Sequence, residues 1–124
     1  MVLFMIILLL TACSNDTGLN ALPKVKSITI QEMISFTEGK ENSVKQISNE
    51  EDIAKIVDAF SNAYQEPGIA DMADPAYEVK IGKESYYLWF SEDGASASIM
   101  NRDDTHTVYS VSSSEEIYPI IHAE

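Results

Sequence analysis

Apolar and polar positions split the chain sharply near its start. Val2 to Leu10 is an unbroken apolar run of nine residues, and no charge occurs before Asp16. A bilayer-crossing helix needs about 20 apolar residues, whereas the core of an export signal needs about 7–15. The run therefore predicts a removable signal over residues 1–12 rather than a membrane span. Ser14 to Pro23 reads SNDTGLNALP, small and polar, and predicts a flexible tether over residues 13–23.

Residues 24–124 carry the periodicities of a single folded domain. Val25–Ile30 is short and β-branched, as a strand is. Gln31–Phe36 fits neither period, Glu38-Gly39-Lys40 reads as a turn, and Ser43–Ile47 is placed to pair back. Ser48 with Glu51 has capping-box spacing, and Ile53, Ile56, Val57, Phe60 and Tyr64 fall on one helical stripe. A helix over 49–64 is predicted, stopped by Pro67-Gly68. The period then changes to two. Tyr77, Val79 and Ile81 alternate with polar residues, and Gly82-Lys83 suits a tight turn. Tyr86 to Phe90 is apolar on both faces, Asp93-Gly94 is a hairpin signal, and Ala95–Met100 and Thr105–Val111 run on as strands. Ser113 with Glu116 offers a second cap for a short C-terminal helix, which Pro119 limits. The predicted class is α+β. An antiparallel sheet of about four to six strands, ending in a four-stranded meander, packs on one main helix.

The residues that close the apolar run change the picture. Leu10-Thr11-Ala12-Cys13 resembles a bacterial lipobox, although no Lys or Arg precedes the run. The resemblance implies cleavage before Cys13 and a lipid on its thiol, with the domain at the extracytoplasmic face of the cell membrane. Two acyl chains anchor stably where one is marginal. A lone cysteine makes an intramolecular disulfide impossible, and lipidation accounts for it.

Charge narrows the partners. The net charge is −12 and lies entirely beyond Cys13. Nucleic acid is excluded as a partner, because phosphate contacts need clustered Lys and Arg. A membrane partner is expected through the Cys13 lipid. An envelope protein, a peptide or a wall ligand fits the acidic surface.

A second resemblance rests on three segments: Met72-Ala73-Asp74-Pro75-Ala76-Tyr77-Glu78-Val79, then Tyr87-Leu88-Trp89, then Asp104-Thr105-His106-Thr107-Val108-Tyr109-Ser110-Val111. Together they resemble the YhfM-like domain of small lipoproteins from Bacillus-type Gram-positive bacteria, over roughly residues 25–121. The resemblance implies an extracytoplasmic α+β module and brings no catalytic residues with it.

Candidate chemistry is sparse. Asp103-Asp104-Thr105-His106 sets an imidazole beside carboxylates, the ingredients of a general base or part of a metal site. The same residues are also those a polar hairpin turn favours. Asp71, Asp74 and Glu78 supply oxygen ligands but not EF-hand spacing. The serines lack a nucleophile elbow. No cofactor motif is present. Tyr86, Leu88 and Phe90 share one strand face, expected against the helix stripe of Ile53, Val57 and Phe60. Tyr87 and Trp89 share the other, which is either covered by the C-terminal segment or open. If open, Tyr87, Trp89 and Tyr109 form an aromatic partner-binding patch, with Asp104 and His106 as further contacts. The reading is a non-enzymatic binding or accessory module. Its rival is a small hydrolase or metal-dependent enzyme centred on Asp104 and His106. A pocket joining His106 to acids from another loop favours the rival, and a solvent-facing His106 with no cleft counts against it. A binding module instead predicts an exposed aromatic patch around Trp89, and burial of both faces of the Tyr86–Phe90 strand counts against that module.

Overall fold

A computed structural model describes Leu22, residues 24–67 and residues 72–122. The apolar run, Leu10–Cys13 with the expected lipid site, most of the expected tether, and Asp71 lie outside the described residues.

The described residues form seven strands and two helices: β1 (Ile28–Glu32), β2 (Lys45–Ile47), α1 (Glu50–Ser61), β3 (Tyr64–Gln65), β4 (Tyr77–Ile81), β5 (Glu84–Phe90), β6 (Ala97–Asn101), β7 (Tyr109–Val111) and α2 (Ser114–His122). The sheet has the order β2-β1-β4-β5-β6-β7-β3, with every pair antiparallel. The class is α+β, as expected, with a main helix and a short C-terminal one. β4 to β7 form the expected meander. Gly82, at φ +63°, makes the tight β4–β5 turn.

Register assigns the two faces. Ile30, Val79, Tyr86 and Asn101 follow one another across β1, β4, β5 and β6, and Tyr77, Leu88, Ile99 and Tyr109 make the next row. This face packs on Ile53, Ile56 and Phe60 of α1 and on Ile117 and Ile121 of α2. Leu88, Ile99, Phe60 and Ile117 are fully buried there. Each such side chain contributes about 1.5–3 kcal/mol through removal from water. The Phe60 ring meets Tyr86 edge-on, with centroids 5.4 Å apart. The helix-side packing of Tyr86, Leu88 and Phe90 is therefore as the alternation indicates.

Several boundaries differ from expectation. β1 begins at Ile28, three residues after Val25, and β7 contains only the last three residues of Thr105–Val111. The cap of α1 is Asn49, not Ser48: its side chain accepts from the Asp52 amide at 3.0 Å. α1 ends at Ser61 rather than at Tyr64. There Asn62 donates from Nδ2 to the Asp58 carbonyl, and the chain swings out to pair Tyr64 with Ser110. Tyr64, on the apparent helical stripe, is instead exposed on the edge strand β3. α2 continues through Pro119 to His122. The carbonyl that loses its donor belongs to Glu115, which is exposed and can be solvated.

Candidate functional site

The second face of the meander holds the aromatic pair singled out above. Tyr87 is buried, and its hydroxyl donates to the Phe36 carbonyl at 2.7 Å. The Phe36 ring stands edge-on to Tyr87 with centroids 5.1 Å apart. Trp89 is half-buried and donates from Nε1 to the Ala73 carbonyl at 2.9 Å. Met33, Phe36 and Met72 pack over this pair together with Met100 and Val108. The cover comes from the β1–β2 connection and the approach to β4, not from the C-terminal segment, which lies on the opposite face. Tyr109 also lies on that opposite face, in register with Ile99. Tyr87, Trp89 and Tyr109 therefore do not form one patch. The reason is parity: side chains alternate faces along a strand, and the β6–β7 register puts Tyr109 on the helix side. Tyr87 and Trp89 act as hydrogen-bonding posts for two loops.

Asp104 and His106 are both exposed. Their recorded bonds are those of a polar turn. The His106 amide donates to Asp104 Oδ1 at 3.3 Å, the Asp104 amide to the Asn101 carbonyl at 2.9 Å, and the Asp103 amide to Asn101 Oδ1 at 2.7 Å. Neither residue lines any of the three concavities described below. Glu78 does not join Asp74, which is exposed. It lies under Arg102, whose Nη1 donates to Glu78 Oε2 at 2.7 Å. That carboxylate holds the guanidinium above its ordinary pKa. Among the described residues, no three His, Cys, Asp or Glu side chains gather where they could hold a metal ion.

Three concavities lie on the helix side. One, about 790 Å³, runs between the leading segment and α1, with Leu22, Val25, Ile53, Ala54 and Val57 as its apolar lining and charged residues such as Lys24 and Asp58 around it. The leading segment is fixed to the helix where the Leu22 amide donates to Ser61 Oγ at 3.4 Å. Two smaller concavities flank β2, about 560 Å³ beside Pro119 and Ile120 and about 400 Å³ beside Tyr77 and His122. Near the latter, Tyr77, Phe90, Tyr118 and His122 form an aromatic corner. The Tyr118 and His122 rings are 3.9 Å apart and Phe90 meets Tyr118 edge-on at 4.9 Å. Burial, and then the negative charge of Glu32, raise the Tyr77 pKa. Sequence reasoning passed over this corner. Its one legible signal was the helical spacing of Tyr118 and His122.

Residues 25–121 match the family described as YhfM protein. The chain belongs to that family. Its domain spans β1 through most of α2 and includes every candidate residue from Asp74 to Tyr109. It ends one residue before His122, and Leu22 and Lys24 precede it. No curated protein and no solved structure matches the chain.

Proposed function

We propose that this YhfM-family chain is a lipid-anchored, extracytoplasmic binding or accessory module of the cell envelope, held to the membrane through Cys13 and without catalysis of its own. The observation that carries the anchor is the Leu10-Thr11-Ala12-Cys13 box directly after a nine-residue apolar run. The distance from that box to the domain supports it. Leu22 is already tied to α1, so only eight residues separate Cys13 from the folded part. A random coil of that length would span about 14–17 Å, which would hold the domain near the membrane surface. The non-enzymatic reading is supported by the Asp104–His106 pair, whose recorded bonds hold a turn. With Tyr87 and Trp89 committed to loops, the concave helix side offers the better contact surface.

Replacing Cys13 with Ala tests the anchor. The parent is expected in the membrane fraction and labelled by a clickable fatty acid in cells. The Cys13→Ala variant is expected to lose the label and leave the membrane fraction. A variant that keeps both would overturn the reading.

A further inference from the structure

We propose that the outer edge of β2 is a docking strand for an extended peptide bearing a basic and an apolar side chain two residues apart. The inference deepens the binding-module reading and rests on it. Among the described residues β2 is the last strand of its side of the sheet. Alternate backbone groups of an edge strand point away from the sheet and template a further strand. Val44, just ahead of β2, is 57% exposed, a large aliphatic side chain at the mouth of that edge.

The overhang of α2 makes this edge more than a bare strand. Lys45 Nζ donates to the Ile121 carbonyl at 2.6 Å, tying β2 to the helix end. Lys45 lines both flanking concavities and stands between them. The larger is lined by Ile47, Pro119 and Ile120, with Asp52 beside them, and suits an apolar side chain. The smaller has Glu32, Tyr77 and His122 in its wall, a carboxylate and two ring systems suited to a cation. On an added strand, side chains facing the helices recur every second residue, about 7 Å apart. Two successive ones can thus enter the two concavities, one on each side of Lys45.

Charge decides among occupants. A second copy of this chain would bring another −12 to an edge flanked by Glu32 and Asp52, so self-pairing opposes like charges. A basic peptide is complementary. Glu32 now faces Lys40 at 3.5 Å, with both side chains at least half exposed, and such surface pairs exchange partners readily.

The test uses the full chain in non-ionic detergent, so its outcome does not depend on the lipid anchor. The probe is a fluorescein-labelled nine-residue peptide of alternating Thr and Val, with Lys at its fourth position and Leu at its sixth. A second peptide carries Glu in place of the Lys. Anisotropy is expected to show the Lys peptide binding at least about tenfold more tightly than the Glu peptide. Glu32→Lys is expected to invert that preference, a gain that an unfolded variant cannot produce. Hydrogen exchange of the Val44–Ser48 amides is expected to slow when the Lys peptide binds. No binding, a preference unmoved by Glu32→Lys, or binding that leaves these amides unchanged would overturn the proposal. So would protection of the same amides by raised protein concentration alone, which would mark the edge as a self-association surface. A membrane-bound parent with no peptide binding would reject the docking strand while leaving the anchor intact.

Discussion

At the scale of single residues, Gly94 shows how much one position can carry. Its φ of +73° lies in the left-handed region, where a side chain is strained, and a Cβ there would sit 2.6 Å from the Tyr118 ring. Its carbonyl accepts from the buried Ser114 hydroxyl at 3.2 Å, tying the β5–β6 turn to the start of α2. Next to it, Asp93 Oδ1 accepts from the Ala95 amide and the Ser91 hydroxyl. Those bonds hold the Asp93 carboxyl below its usual pKa. Gly94→Ala is expected to cost about 2 kcal/mol of stability, measured by urea denaturation, because it combines backbone strain with the clash. The turn itself was legible, since Asp-Gly is a strong hairpin signal. The second requirement, room for Tyr118 some two dozen residues later, was not. No local pattern encodes which ring will arrive over a glycine.

Among the elements, the two helices and the meander were legible because each repeats its period several times. The return strand β2 was also legible, inside Ser43–Ile47 placed to pair back on β1. The edge strand β3 was not: its two residues are too few for a period, and it exists because β7 offers Ser110 and Tyr109 as partners. The cap of α1 shows a finer contest. Ser48-x-x-Glu51 and Asn49-x-x-Asp52 are both plausible starts one residue apart. The backbone settles it: Asn49 is extended, at φ −70° and ψ 126°, and it is its side chain that accepts from Asp52. Asn49→Ala is therefore expected to destabilise by about 1 kcal/mol, and Ser48→Ala by less than half as much, in paired denaturation curves. A larger loss for Ser48→Ala would return the cap to Ser48. Acidic Glu50, Glu51 and Asp52 in the first turn favour the helix in either register.

For the whole molecule, the sheet is covered on one face by both helices and on part of the other by two loops hung from Tyr87 and Trp89. A net charge of −12 surrounds this core. Such self-repulsion is screened by salt, with a Debye length near 30 Å at 0.01 M and about 8 Å at 0.15 M. The melting temperature is thus expected to rise by a few degrees between those ionic strengths, measured by circular dichroism. A fall would mean that attractive pairs such as Glu78–Arg102 outweigh the repulsion.

The chain's own pattern determined the apolar run, the polar stretch after it, the α+β class, the meander and the family, because these follow from local composition and short periods. It also placed Tyr86, Leu88 and Phe90 against the helix, since alternation along one strand fixes parity within it. Tertiary structure alone decided what covers Tyr87 and Trp89, and on which face Tyr109 falls. It also decided that His106 stands exposed beside a turn and where the concavities lined by α1, α2 and β2 open. Those depend on register between strands and on where distant segments cross. A one-residue change in pairing reverses a face without altering any local pattern.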